Sequence, residues 1–370
     1  MTGISGLSLF SGAGGMDVGF KRAGVNIVAA NELEKNAALT FSENHPDTQM
    51  LEGDISSLMK EMSSFKGVDL VFGGPPCQGF SVAGKMNPND ERSKLIWKFL
   101  DVVSMVNPEI FIMENVKSLA TLEKWSAVRQ RFFERANNLG YHCNHFVLNS
   151  SNYGVSQNRE RVFFVGSKTP YSKVSIEESL QKLEAPSATL RDLFSNLPKY
   201  GSEHNPITCS AKITLASKPV LRKSPYAGML FNGMGRPLNL DSVSYTLPAS
   251  MGGNKTPIVD STLIDNPNGF DWVKDYHSKI KNGIIVPAFA EAPGTLRRIT
   301  TLEAASIQSF PEDYTFLGPK TSIYSQIGNA VPCRLAEVIA KSVLDVCIST
   351  GIDFTTSIES PTFQESLFKV

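Results

Sequence analysis

The sequence predicts an α/β fold: a doubly wound, mostly parallel sheet joined to a second, smaller, loop-rich module. Three observations support this. Short apolar runs alternate with helical stretches over the first 170 residues. Glycine-rich or acidic turns follow several of those runs, where open α/β sheets place ligands. After Ser167 the texture changes, and residues 199–300 are rich in Gly, Pro, Asn and Ser. The expected strands are 6–10, 25–30, 68–72, 110–113, 146–148 and 162–165, each a short apolar run of the kind that is buried on both faces. Between them, 16–23, 34–44, 93–106 and 122–139 are expected as helices, which makes the connections βαβ crossovers. Helical texture returns at 301–310 and 332–347, so the last helix is expected to dock back onto the first domain. The tail after Gly351 is polar and poorly periodic and carries no expectation.

At 370 residues the chain exceeds one typical domain. No apolar run reaches transmembrane length, and Met1-Thr2-Gly3-Ile4 lacks a signal-peptide start, so a cytoplasmic protein is expected. The five cysteines (77, 143, 209, 333 and 347) are odd in number and widely spaced without Cys-x-x-Cys, which argues against a disulfide framework or structural zinc. His142-Cys143-Asn144-His145 has metal-ligand residue types. However, Tyr141, Cys143, His145 and Val147 alternate as in a strand, so no metal is expected. Lysine plus arginine equals aspartate plus glutamate, 36 each, so net charge does not announce a partner. A locally basic stretch from Lys212 to Lys255 contains Lys218, Arg222, Lys223 and Arg236 against only Asp241.

The first strand runs into Ser11-Gly12-Ala13-Gly14-Gly15, a turn that lets the backbone approach a nucleotide-like ligand. It has no Gly-Lys-Ser/Thr and is not a full G-x-G-x-x-G, which excludes a P-loop and weakens a diphosphate site. Asn31-Glu32 follows the second strand, where an acid takes ribose hydroxyls; in Gly53-Asp54-Ile55, the acid can accept from an adenine amino group while Ile55 packs on the ring. A Gly loop without phosphate chemistry, with two such acids, suggests S-adenosylmethionine.

Chemistry gathers at the same sheet edge. Val68–Phe72 leads into Gly73-Gly74-Pro75-Pro76-Cys77-Gln78-Gly79-Phe80-Ser81, where two prolines hold a thiol on a stiff turn. Glu114 follows an apolar strand, and burial there would raise its pKa and keep it protonated as a donor. Arg159 and Arg161, in Gln157-Asn158-Arg159-Glu160-Arg161, share one strand face and can bind carbonyl, carboxylate or phosphate. Gln326-Ile327-Gly328-Asn329-Ala330-Val331-Pro332 is expected to open the last helix and close over the cofactor.

With these motifs in this order, and Arg297-Arg298-Ile299-Thr300 after the loop-rich insert, the chain resembles the bacterial DNA (cytosine-5)-methyltransferases of restriction-modification type from Leu7 to Pro332. Two departures are Ala330 where many members carry serine, and Pro75 where some carry phenylalanine. The resemblance implies a Rossmann-like S-adenosylmethionine methyltransferase domain (1–190 plus 322–370) and a target-recognition domain (191–321). It implies Cys77 as nucleophile, Glu114 as partner of cytosine N3, Arg161 as donor to O2 and Arg159 in phosphate and active-loop support. Phe10, Gly12, Gly14, Gly15, Glu32, Leu33, Asp54, Ile55, Pro76 and Asn329 become expected cofactor contacts.

The chemistry accounts for this set. Thiolate addition at C6 makes C5 electron-rich, and donors at N3 and O2 stabilise the charge pushed onto the ring. A free thiol, with pKa of about 8.5, needs help to ionise. No residue marks itself as the base that removes the C5 proton, and a positioned water is expected there. None of these groups reaches a stacked base, so the cytosine must flip out, and 81–92 has the composition of a loop that closes over it. Ser81, Arg222, Lys223, Arg236, Thr246 and Lys255 are expected DNA contacts, the last five within or beside the basic, Gly-rich insert. A monomer acting on double-stranded DNA is expected, with a cognate restriction endonuclease encoded nearby and not bound. An RNA-methylating relative would carry Cys-Phe-Thr, which this chain lacks. Against a decayed, DNA-binding-only protein stand Cys77, Glu114, Arg159 and Arg161 together.

Overall fold

A computed structural model of the chain describes residues 3–76, 94–352 and 354. Cys77, Ser81 and the segment 81–92 lie outside the described residues, as does the tail beyond 352 apart from Phe354.

The strands in chain order are β1 (Ile4–Leu9), β2 (Val25–Glu32), β3 (Gln49–Glu52), β4 (Leu70–Gly73), β5 (Ile110–Val116), β6 (His142–Asn149), the short β7 (Gln157–Asn158) and β8 (Glu160–Ser167). Seven of them form one sheet in the order β3-β2-β1-β4-β5-β8-β6. Neighbours from β3 to β5 are parallel, whereas β8 runs antiparallel to both β5 and β6. An antiparallel partner needs only a short return, so β8 can follow β6 closely and wedge between it and β5. The strand order reverses between β1 and β4, which makes that crevice the expected ligand position.

Successive residues of a strand point to opposite faces, and β4 and β5 show it. Leu70, Phe72, Ile110 and Ile112 join one core with Phe20 and the helices Gly15–Arg22 and Cys333–Ser349. Val71, Phe111 and Met113 join another with Phe99 and Phe132 of the helices Leu95–Val106 and Ser126–Asn138. The last helix thus docks on the first. They meet at Gly19, where a Cβ would fall 2.4 Å from the Cys333 carbonyl oxygen.

The insert is built of small pieces. β9 (Leu215–Val220) pairs with β10 (Met229–Phe231), β11 (Ser244–Tyr245) pairs in parallel with β7, and β12 (Ile258–Asp260) pairs with β13 (Leu296–Arg298). One of its apolar clusters includes Val18 and Cys333 together with Leu190, Leu247 and Ile327, so packing is continuous across the domain boundaries expected from sequence. Among the described residues no helix is long and apolar enough to cross a membrane, and no group of three or more His, Cys, Asp or Glu is placed to hold a metal ion. His142, Cys143 and His145 lie in β6.

Candidate active site

The sheet register aligns the site. Asn31, Leu9, Gly73 and Met113 are successive partners across β2, β1, β4 and β5. The next residues (Glu32, Phe10, Gly74 and Glu114) therefore emerge as one row at the carboxyl edge. The close approach is permitted by Gly73, where a Cβ would fall 2.0 Å from the Leu9 carbonyl oxygen.

At the β1 end the chain turns through Phe10 at φ 54°, Gly12 at 57° and Gly14 at 84°. This is left-handed backbone that glycine adopts without cost and that strains Phe10. Glu32 organises the turn by accepting from the Gly12 N–H at 2.8 Å and from the Glu34 N–H at 2.7 Å. Burial raises the pKa of Glu32, and those backbone donors partly offset it. Buried Asn31 donates to the carbonyls of Leu51 and Gly53 at 2.9 and 3.0 Å, which ties β3 to this edge. A Cβ on Gly12 would meet nothing within 4 Å, so the loop offers an open backbone cradle. The cradle's amide is occupied by an acidic side chain. That suits a ribose and a sulfonium cation better than a diphosphate, so the residues present fit S-adenosylmethionine.

The other expected cofactor residues vary in exposure. Leu33 is exposed, and Gly14 and Gly15 are buried in the turn. Asp54 is exposed, and its Oδ1 accepts from the Ser56 N–H at 2.7 Å. Ile55 is 3% exposed and belongs to the core, so it presents little surface for stacking. Pro76 is half-buried and Asn329 exposed. One expectation is corrected. Gln326 to Asn329 end the helix Lys320–Asn329 instead of opening the last one, which starts at Cys333 after Pro332. Gly328 is needed there, since a Cβ would fall 2.6 Å from the Pro248 carbonyl oxygen.

At the β5 end, Glu114 is buried and its Oε1 lies 2.8 Å from Arg161 Nε. Val116 pairs with Arg161 across β5 and β8, so Glu114 and Arg161 project from one face as diagonal neighbours. Burial raises the Glu114 pKa, opposed by the charges of Arg161 and Arg159. Asn115 Nδ2 donates to the Pro75 carbonyl at 3.2 Å, and a Cβ on Gly74 would fall 2.9 Å from Glu114 Oε2. The Pro-Pro turn that leads to Cys77 is thereby pinned against the Glu114 strand end.

Of the carbonyl, carboxylate and phosphate partners expected for Arg159, the structure shows carbonyls. Arg159 is 2% exposed and donates to the carbonyls of Leu247 (3.3 Å) and Gly328 (3.0 Å), bracing the insert against the Asn329 turn. Its charge also acts on Glu114, and it lies between β7 and β8. Sequence reading missed a buried amide relay beside it. Gln157 accepts from the Leu247 N–H at 2.9 Å and donates to Gln308 at 2.8 Å, and Gln308 donates to the Ile327 carbonyl at 2.7 Å. Gln157 and Gln308 are 151 residues apart, and a lone glutamine carries no signal of its partner.

Of the expected DNA contacts, Arg222, Lys223 and Lys255 are exposed. Arg236 stacks over Tyr245 at 3.8 Å, and the Thr246 hydroxyl donates to the Asn158 carbonyl at 2.7 Å.

Residues 4–345 match the family model for C-5 cytosine-specific DNA methylases. The chain is 32% identical over 354 residues to the type II methyltransferase M1.HphI of Haemophilus parahaemolyticus, which covers 91% of this chain and 86% of that one. It is 33% identical over 345 residues to M.MthTI of Methanothermobacter thermautotrophicus, covering 91% and 96%. The solved structure of the Entamoeba histolytica methyltransferase EhMeth shares the fold at TM-score 0.66 and 17% identity, covering 93% of this chain and 99% of that one. A family match over nearly the whole chain, with relatives above 30% identity along most of its length, makes this chain a member of the C-5 cytosine-specific DNA methylase family.

Proposed function

We propose that the edge row from Glu32 to Glu114 is the active site of this S-adenosylmethionine-dependent DNA cytosine-5 methyltransferase, with Cys77 as its nucleophile. The observation that carries the reading is the Glu114–Arg161 pair at 2.8 Å beside the Pro75-Pro76 turn. Three interstrand spacings, about 14 Å at roughly 4.8 Å each, separate the Glu32 strand from the Glu114 strand. That leaves room for a nucleoside at one end and a pyrimidine at the other.

The thiolate of Cys77 adds to C6, forming an S–C6 bond while the C5–C6 π electrons move onto C5 and the ring. Burial pushes the Glu114 pKa up against the charges of Arg161 and Arg159, which favours the protonated form that donates to N3, while Arg161 donates to O2. Arg159 acts through the Leu247 and Gly328 carbonyls, holding the insert and the Asn329 turn together. S-adenosylmethionine, when bound, supplies an electrophilic methyl carbon on a sulfonium sulfur. Phe10, Gly12, Gly14, Gly15, Glu32, Leu33, Asp54, Ile55, Pro76 and Asn329 would hold it, with Glu32 on the ribose and Ile55 contributing only its small exposed edge. Loss of the C5 proton to a positioned water then returns electrons to the C5–C6 bond and expels the Cys77 thiolate. Ser81, Arg222, Lys223, Arg236, Thr246 and Lys255 contact DNA from the active-site loop and a target module spanning 191–321, with 1–190 and 322–370 as the catalytic domain. The protein works as a monomer in the bacterial cytoplasm or nucleoid, protecting DNA against a cognate endonuclease encoded nearby.

Cys77→Ala is expected to abolish transfer of labelled methyl groups to duplex DNA while retaining S-adenosylhomocysteine binding. Transfer at the wild-type rate would overturn the mechanism. Bisulfite mapping after expression in a methylation-free host reads out the target sequence.

A further inference from the structure

We infer that Tyr314 and His45 form a positioning pair that sets the backbone of the cofactor loop from behind. The inference rests on the reading of the Phe10–Gly15 turn as part of the cofactor site. The Tyr314 hydroxyl donates to the Ala13 carbonyl, and His45 Nε2 lies 3.2 Å from the same hydroxyl. A Cβ on Gly14 would fall 2.6 Å from both His45 Nε2 and the Tyr314 oxygen, so the pair touches the loop backbone directly.

The direction of the relay follows from protonation. Burial, and then the charge of Lys21, push the His45 pKa down to about 3, so the imidazole is neutral at physiological pH. Tyr314 stays a phenol because burial raises its pKa well above the usual value. Its one proton goes to Ala13, so Nε2 must be the nitrogen that carries hydrogen and donates to the phenol oxygen. The chain of donors therefore ends on a loop carbonyl.

The pair is held from two sides. Tyr314 packs among Phe310 and Phe316, with ring centroids at 4.9 and 5.3 Å. Asn44 and Thr315 exchange bonds of 2.7 and 2.9 Å, and the Leu317 N–H donates to Thr40 Oγ1 at 2.9 Å. Asn44 ends the helix Lys35–Asn44 and His45 caps it, next to the β3 edge. The segment after the target module is thus stitched to the first βαβ unit, and Tyr314 reaches a carbonyl 301 residues away. A loop with glycines at φ 57° and 84° has many accessible conformations, and pinning Ala13 selects among them.

Tyr314→Phe removes only the hydroxyl and leaves the ring packed. Calorimetric titration with S-adenosylhomocysteine is expected to show a dissociation constant about tenfold higher. The KM for S-adenosylmethionine should rise in parallel while kcat at saturation changes less than about threefold. His45→Leu should match it, and His45→Gln, which keeps an N–H donor, should recover part of the affinity. A lowered melting temperature with unchanged S-adenosylhomocysteine affinity would overturn the inference and leave Tyr314 a packing residue. Glu32→Gln separates the two readings. If it loses binding while Tyr314→Phe keeps it, the positioning pair falls and the site stands. If neither variant loses binding, the placement of the cofactor at this loop falls, and the inference with it.

Discussion

Arg297 with Glu303, both buried, and half-buried Arg161 with buried Glu114 are two arginine–carboxyl pairs whose surroundings differ in what they leave available. Arg297 forks onto both Glu303 oxygens at 2.8 and 2.6 Å, donates from Nε to Ser261 at 2.9 Å and stacks on Tyr200 at 3.9 Å. Glu303 also accepts from the Thr300 N–H, completing the capping box of the helix Thr301–Ile307. Nearly every hydrogen-bonding position of that pair is filled. Arg161 instead meets Glu114 through Nε and one oxygen, with Nη1 turned to the neighbouring Glu160 carbonyl at 2.8 Å. A closed pair supports the fold, whereas among the described residues the Glu114–Arg161 pair keeps hydrogen-bonding capacity for a third partner. Both cost desolvation, and among the described residues the closed pair recovers more of it within the protein.

This contrast can be broken experimentally. The largest effect should come from Glu114→Gln, which lowers kcat on the order of 10³-fold while leaving the unfolding free energy near wild type. If it destabilises the protein and spares kcat, the pair is structural and the comparison collapses. Arg297→Met should do the reverse. It strands Glu303 in the interior and costs roughly 3–5 kcal/mol in denaturant unfolding, with kcat per folded molecule preserved.

Asp17 supplies the third case, a carboxylate buried with no arginine. It is wholly buried in the helix Gly15–Arg22, and burial raises its pKa to about 7. The nearby Ser8 hydroxyl lowers it somewhat, although neither oxygen has a hydrogen bond of good geometry among the described residues. The folded pKa lies above the unfolded value of 3.8, so the folded state holds the proton more tightly. The stabilising contribution is complete below pH 4 and disappears as pH rises to about 7, with a slope of at most about 1.4 kcal/mol per pH unit. Asp17→Asn should remove that slope from urea unfolding measured across this range. An unchanged slope would mean that Asp17 ionises freely and that burial alone does not distinguish the three carboxylates.

Much of the candidate site could be read from sequence because its parts lie at the ends of apolar strands. The sheet register then brings Glu32, Phe10, Gly74 and Glu114 into one row without further information. The antiparallel β8 was legible as a strand but not in its direction, since periodicity of two is the same both ways. Arg159 was legible as a binder of carbonyl, carboxylate or phosphate, but its partners were not, because they are the carbonyls of Leu247 and Gly328, which any sequence could supply. The turn at Gln326 to Asn329 was found and put on the wrong helix, since Pro332 signals a start more strongly than Asn329 signals an end. The insert residues proposed to contact DNA were legible only as a basic, Gly-rich composition.

The sequence by itself determined the class of chemistry: a strand-end thiol, an acid and two arginines beside a glycine turn that lacks phosphate-binding residues. These are local signals, set by residue type and short spacing. Only the tertiary structure decided which arginine faces Glu114, which one braces the insert, and that Tyr314 and His45 stand behind Ala13. Those assignments depend on backbone carbonyls and on partners up to 301 residues apart, and folding alone brings such groups within hydrogen-bonding distance.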